Sequence, residues 1–210
     1  IFIRTWLPEI KESALVSTPV QDQKPLFSHR NFTGAIIAQF FYVGAQVCVL
    51  SLFILVATSS SGISEIQAAD YLSMGGLAFL IGRFLGTFLM RYIAPNKLLL
   101  TYSLICVVLS LVAIFQSGII TVYALIGICF FMSIMFPTIF SLGIKNLGED
   151  TEVASSLIVM AIAGGAVLPR IFGVISDATG NIQNGYWIPL IAFLVVAYFG
   201  WKGHQEKASH

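Results

Sequence analysis

A polar stripe runs along the first long apolar segment, TGAIIAQFFYVGAQVCVLSLFILVA. Gln39, Tyr42 and Gln46 lie at positions i, i+3 and i+7, so they share one face of a helix. Amides and phenols are costly in hydrocarbon unless paired, which predicts that this face looks into the bundle or into a water-filled cavity. Such neutral donors and acceptors suit the hydroxyl groups of a sugar. The alternative is hydrogen bonding between helices.

A proline interrupts the fourth apolar segment, FFMSIMFPTIFSLG. Pro137 has no N–H for the carbonyl of Ser133, and its ring clashes with the preceding turn, so we expect a kink. Phe136 and Thr138 flank this kink, where the freed carbonyl can serve a ligand or accept from a hydroxyl. Kinks of this kind also serve packing alone, so Pro137 is a candidate for gating or for packing.

The fifth apolar segment, VMAIAGGAVLPRIFGVI, contains a glycine pair followed by a proline. Pro169 leaves the carbonyl of Gly165 without its helical partner, just past the flexible Gly164 and Gly165. We expect a second helix break here and assign these three residues to gating. The alternative is close packing of a neighbouring helix on the glycines.

An arginine lies inside the second apolar segment, IGRFLGTFLMRYIAPNK. Gly82 and Gly86 form a G-x-x-x-G contact face, and Arg83 lies about two turns inside the membrane boundary, where an unpaired cation is costly. We expect Arg83 to bind helix-end carbonyls or an acid and to help hold one gate state closed. The acidic candidates are Glu149, Asp150 and Glu152.

Acidic residues are missing from the middle of the apolar segments, and histidines lie outside them. No Asp or Glu lies in the middle of any segment, so carboxylates that carry protons are expected outside this chain. His29, His204 and His210 lie outside the segments, and there is no H-E-x-x-H, C-x-x-C or G-x-S-x-G motif. A channel is a further alternative, although no charged ring or carbonyl filter is visible. The sequence predicts no enzyme activity, no metal site and no cofactor.

The composition is that of an integral membrane protein. Hydrophobic residues make up 57% of the 210 residues and charged residues 10%, and the net charge of +1 offers no basic surface to nucleic acid. Six apolar stretches have about the 20 residues that cross a bilayer. They lie at about 33–57, 69–91, 98–115, 119–142, 153–175 and 186–202. The predicted fold class is an all-α, polytopic bundle of six transmembrane helices.

Basic residues collect on one side of this bundle. The connections on the side of the amino-terminal segment contain Arg91, Lys97, Lys145, Lys202 and Lys207. By the distribution of Lys and Arg that side is cytoplasmic, with both ends of the chain inside.

The ends of the chain suggest how it is organised. Residues 1–31 read as a cytoplasmic linker, 32–203 as the six-helix bundle and 204–210 as a cytoplasmic tail. The leading linker and the missing initiator Met favour the carboxy-terminal half of a twelve-helix transporter, partnered by an amino-terminal half. The alternative is a complete six-helix protein.

Four motifs in order resemble one family of sugar carriers. QFFYVGAQV, GRFLGTFL, FPTIFSLGIKNLG and SDATGNI are similar to the carboxy-terminal half of L-fucose/proton symporters, within the major facilitator superfamily. The similarity runs from about Asn31 to Trp201. It implies a carrier in the inner (plasma) membrane that imports a monosaccharide with a proton by alternating access, the sugar lying between two halves.

The resemblance implies roles for single residues. Gln39, Tyr42 and Gln46 would face the central cavity, and Phe136 would offer an aromatic platform beside Thr138. Family members can have Tyr where this chain has Phe136.

The resemblance also covers the gate and the substrate. Arg83, Arg91 and Lys97 match the cytoplasmic gating segment of the superfamily, without its usual acidic residue between Gly86 and Arg91. The predicted sugar is L-fucose. The alternatives are glucose or galactose on the same fold, and a non-transporting sugar sensor or assembly scaffold.

Overall fold

The described part of the chain is mostly helical. The computed structural model describes Leu26 and residues 29–203, with the backbone alone at position 149, so most of the predicted linker and the whole predicted tail lie outside the described residues. The α-helices are α1 (Arg30–Ser51), α2 (Phe53–Ser61), α3 (Glu65–Leu89), α4 (Pro95–Phe115), α5 (Ile119–Met132), α6 (Met135–Gly143), α7 (Thr151–Met160), α8 (Gly164–Thr179) and α9 (Trp187–Tyr198).

Six stretches within the described residues are long and apolar enough to cross a membrane. These spans one to six are Arg30–Ser51, Glu65–Leu89, Pro95–Phe115, Ile119–Gly143, Thr151–Thr179 and Ile182–Lys202. They coincide with the predicted stretches except at their ends, and α2 continues the first span. The predicted fold class, an all-α polytopic bundle, is confirmed.

Helix interruptions occur in or beside three of these spans. In the first, α1 ends at Ser51 and α2 begins at Phe53. In the fourth, α5 and α6 are separated by Ser133 and Ile134, about one turn before Pro137. This is where a proline without an N–H donor is expected to disturb the helix.

The fifth span differs from the expectation of a break at Pro169. α8 runs from Gly164 to Thr179 with Pro169 in its interior, and the irregular 3₁₀ turn instead covers Ala161–Ala163. The prediction of a break at the proline is therefore wrong. The turn directly precedes Gly164, which lies against the backbone of span one at Phe40, so the interruption coincides with this helix contact. Membrane helices tolerate an interior proline.

Local sequence sets several helix ends. The Ser64 hydroxyl accepts from the N–H of Gln67 at 3.3 Å, and the Gln67 side chain accepts from the N–H of Ser64 at 3.1 Å. This capping box begins α3. Pro95 occupies the first turn of α4, where its missing N–H costs nothing. Gly62 ends α2 with a φ of 68°, which favours glycine.

Span one lies in the middle of the bundle. Its helix α1 contacts α6, α8 and α9, and half of the residues in its most apolar stretch are buried. In span two the buried share is 17%. The exposed side chains of span two are large and apolar, among them Leu77 and Phe84, as expected for a face towards lipid or another helix. Because α1 contacts helices of spans four, five and six, span one can bring residues of these spans to one site.

Candidate functional site

Two side chains from other spans bind the interruption in span four. The Tyr42 hydroxyl, from span one, donates to the carbonyl of Met132 at 2.9 Å. Arg83, from span two, donates from both Nε and Nη2 to the carbonyl of Ser133 at 3.2 Å. Because Pro137 cannot donate to that carbonyl, the arginine supplies the partner that the helix lacks. The interruption is thereby tied to two neighbouring helices.

The second span approaches span four through its glycines. A Cβ on Gly82 would collide with the carbonyl of Phe130 and would lie 2.7 Å from the Ser133 hydroxyl. A Cβ on Gly86 would collide with the side chain of Ile134. The G-x-x-x-G face thus packs on the interruption itself, which brings the side chain of Arg83 within reach of Ser133. The Arg83 guanidinium also lies 5.2 Å from the centre of the Phe79 ring.

The two residues that flank Pro137 differ in the contacts of their side chains. Phe136 is half-buried and meets the Tyr42 ring edge to face, with ring centres 6.4 Å apart. Thr138 is buried, and its hydroxyl donates to the carbonyl of Ile134 at 2.7 Å, so that hydrogen is used within its own helix. Pro137 itself is exposed. Of the predicted pair beside the kink, Phe136 remains open to a ligand and Thr138 is turned towards the backbone.

Gln39 is buried with both amide atoms unpaired. Neither its Oε1 nor its Nε2 has a hydrogen-bond partner among the described residues, and the side chain is fully buried. One turn before it, Ala35 lies against Gly143 of α6, and Tyr42 binds Met132 just after it. Gln39 therefore faces α6 close to the interruption. An unpaired buried amide is expensive, so its retention calls for a partner in another state or a bound ligand.

The other end of the polar stripe is more open. Gln46 is half-buried and lies one turn from Tyr42 along α1. Tyr42 is fully buried, and its hydroxyl donates to a backbone carbonyl of another helix. This contact corresponds to the alternative reading of the stripe, hydrogen bonding between helices. The stripe thus contains a bridging phenol between two amides, of which Gln46 is the more accessible.

The glycine pair of span five lies against span one. A Cβ on Gly164 would collide with the backbone of Phe40, and a Cβ on Gly165 would lie 3.0 Å from the side chain of Val47. This is the close packing that the sequence left as an alternative. Phe40 lies between Gln39 and Tyr42 along α1. The interruptions of spans four and five therefore contact span one at about the same depth in the bundle.

The remaining gating candidates lie at the end of span two and the start of span three. Arg91 and Lys97 are both exposed, and no hydrogen bond or ion pair of their side chains is recorded among the described residues. Arg83 is exposed as well, but it differs from these two because its guanidinium donates to the Ser133 carbonyl. The pairing of Arg83 with Ser133 had a sequence signal: an intramembrane cation and a carbonyl freed by proline.

No metal centre accompanies these residues. Within residues 29–203, no group of three or more His, Cys, Asp or Glu side chains could hold a metal ion. The three cysteines Cys48, Cys106 and Cys129 are buried free thiols.

Comparisons with known proteins point to transporters, although no family model matches the chain. The L-fucose-proton symporter of Escherichia coli (strain K12) is 45% identical over 171 residues, 81% of this chain and 39% of that protein. The putative glucose/galactose transporter of Helicobacter pylori (strain ATCC 700392 / 26695) is 38% identical over 205 residues, 96% of this chain and 50% of that protein. The chain spans half or less of the length of these relatives.

A solved structure has the same arrangement of helices. FucP, a major facilitator superfamily transporter in the outward conformation, superposes with a TM-score of 0.82 at 44% identity, over 84% of this chain and 43% of that one.

The helix arrangement and the interrupted spans define a class of protein. The chain is a six-helix bundle of the major facilitator superfamily, the kind of unit that forms one half of a twelve-helix transporter. Within that superfamily its sequence is similar to L-fucose/proton symporters at 45% identity over 81% of the chain, which confirms the resemblance of its motifs. Both relatives are named as transporters, in agreement with the predicted class.

Proposed function

We propose that this chain forms one wall of the sugar site in a secondary transporter that imports a monosaccharide with protons by alternating access. The observation that carries the proposal is the unpaired, buried amide of Gln39, placed where two interrupted spans meet span one. Interrupted helices near mid-depth are a common setting for substrate sites in secondary transporters. Gln46 and Phe136 are the proposed sugar-facing residues of this state, with Tyr42 and Thr138 holding the wall in shape. Gln39 is fully buried here and is proposed to meet the sugar in another state of the cycle.

L-fucose is the proposed sugar. The Escherichia coli relative is named an L-fucose-proton symporter, and the identity of 45% with it supports the same substrate for the protein containing this chain. Glucose or galactose is the second candidate, because the Helicobacter pylori relative is named a putative glucose/galactose transporter.

The proposal extends to topology and partners. An amino-terminal half would supply the other wall and the proton-carrying carboxylates, since no Asp or Glu lies mid-span in this chain. The proposed location is the inner (plasma) membrane, with the linker 1–31 and the tail 204–210 cytoplasmic and 32–203 as the membrane bundle. The unequal distribution of basic residues supports this orientation.

Gating is proposed to depend on the contacts around the interruption in span four. Arg83 and Pro137 would hold one state through the Ser133 carbonyl, while Gly164, Gly165 and Pro169 would let span five move against span one. Arg91 and Lys97 are proposed to act at the cytoplasmic end when the two halves meet.

A binding titration tests the sugar site. In the full-length protein, we expect Gln39→Leu to raise the dissociation constant for L-fucose by about 2- to 10-fold, the effect of losing one hydrogen bond. The thermal stability of the sugar-free protein should stay the same or rise, because the variant removes an unpaired buried amide. Binding is measured by calorimetry and stability by thermal unfolding in detergent.

The control for this titration is Gln116→Leu, which changes an exposed glutamine at the end of span three. It should leave L-fucose binding as it is. Unchanged binding in Gln39→Leu, together with reduced stability, would make Gln39 a structural residue and overturn its assignment to the sugar site.

A further inference from the structure

An apolar groove lies between α4 and α9, away from the candidate sugar site. It has a volume of about 380 Å³ and is lined by Leu100, Leu104, Leu194, Ala197, Tyr198 and Trp201. Four of these side chains are exposed in the described chain: Leu104 by 46%, Leu194 by 45%, Tyr198 by 55% and Trp201 by 58%. The groove is therefore an open, largely apolar channel at the surface of the described bundle.

A glycine explains the floor of the groove. A Cβ on Gly200 would lie 3.0 Å from the backbone nitrogen of Leu100 and 3.2 Å from the carbonyl oxygen of Asn96. The end of span six and the beginning of span three thus touch through their backbones. Their larger side chains are spread to either side, and the space between them is the groove.

Two lysines stand at the basic end of this groove. The Lys202 amine lies 4.5 Å from the centre of the Trp201 ring, so it is held at the rim. Lys97 precedes Leu100 and Leu104 by three and seven residues, which places it on the same face of α4 one turn nearer the helix end. Both lysines are exposed.

Helix stability does not account for Lys97. It lies in the first turn of α4, where the positive end of the helix dipole disfavours a cation. A negative group beside it would be favoured by the lysine and by the helix end together. Tyr198 and Trp201 are of the residue types enriched at the depth of the lipid headgroups. The apolar channel matches the acyl chain of a phospholipid. The two cations and two interfacial aromatics at its end match the negatively charged headgroup.

We propose that this groove binds one anionic phospholipid at the basic end of the bundle. An acyl chain lies along Leu100, Leu104 and Leu194, and the phosphate meets Lys97 and Lys202. Basic pockets between membrane helices are known settings for anionic headgroups. The proposal does not rest on the sugar, since none of the six residues lining the groove belongs to the candidate sugar site.

The test measures lipid binding to the full-length protein by native mass spectrometry in an uncharged detergent. Phosphatidylglycerol and phosphatidylcholine with the same acyl chains are titrated separately. We expect the dissociation constant for phosphatidylglycerol to be lower by at least about tenfold, and the double variant Lys97→Gln/Lys202→Gln to reduce that preference to about threefold or less. The single variants should each lose about half of the preference on a logarithmic scale.

Two matched controls separate the groove from general surface charge. Lys145→Gln removes an exposed lysine away from the groove and should keep the preference. Leu104→Trp fills the groove and should weaken phosphatidylglycerol binding at least about threefold, whereas Val108→Trp, one exposed turn further along α4, should not. No preference in the unmodified protein, an equal loss in Lys145→Gln, or full binding in Leu104→Trp would each overturn the proposal.

Discussion

Replacing Gly164 with alanine should destabilise the bundle by about 1–3 kcal/mol, and replacing it with valine should prevent normal assembly. A Cβ at this position collides with the backbone of Phe40, which cannot move aside as the end of a flexible side chain can. The added methyl group must therefore separate span five from span one at the depth of the candidate site. Thermal unfolding in detergent measures the loss, and sugar exchange in vesicles should fall with it.

Gly76→Ala is the matched control for this substitution. Gly76 also lies in a membrane helix, but a Cβ there meets no atom within 4 Å. Alanine at Gly76 should leave stability unchanged or raise it by about 0.5–1 kcal/mol, because it favours the helix over the unfolded chain. Equal behaviour of the two alanine variants would show that spans one and five do not touch at Gly164.

Replacing Arg83 with glutamine should slow sugar exchange by at least about tenfold. The guanidinium donates two hydrogen bonds to the Ser133 carbonyl, and hydrogen bonds to charged groups contribute about 1.5–3 kcal/mol. Without them the carbonyl freed by Pro137 loses its partner, and the conformation that contains this link becomes less populated. Counterflow of labelled sugar in vesicles, corrected for the amount of inserted protein, measures the rate.

The charge and the geometry of Arg83 can be separated. Arg83→Lys keeps the charge without the two guanidinium donors and should recover only part of the exchange rate. Arg170→Gln removes an exposed arginine from span five and should change the rate by less than about threefold. Normal exchange in Arg83→Gln would mean that the link to Ser133 has no part in the transport cycle.

The membrane spans were predictable because lipid imposes a simple requirement. Every backbone polar group must be paired within the membrane, so an apolar stretch of about 20 residues has to be a helix. The interruption before Pro137 followed from the missing N–H donor. The same argument failed at Pro169, because the irregular turn of span five lies at its contact with Phe40, which the local sequence does not reveal.

The site was predictable in its residue types and not in its pairings. Helical spacing placed Gln39, Tyr42 and Gln46 on one face, but only the packing of α5 and α6 shows that Tyr42 binds Met132 and that Gln39 is left unpaired. For Arg83, the sequence offered a carbonyl or an acid, and the structure records the Ser133 carbonyl. Choosing between such partners requires the tertiary contacts of distant segments.

Accumulation of labelled L-fucose by the full-length protein in sealed vesicles tests the account most directly. With an inward proton gradient we predict that the internal sugar concentration rises above the external one, and that collapse of the gradient abolishes the excess. Unlabelled L-fucose should compete with the label more strongly than glucose or galactose. Binding of L-fucose without accumulation under a proton gradient would contradict the assignment as a sugar/proton symporter.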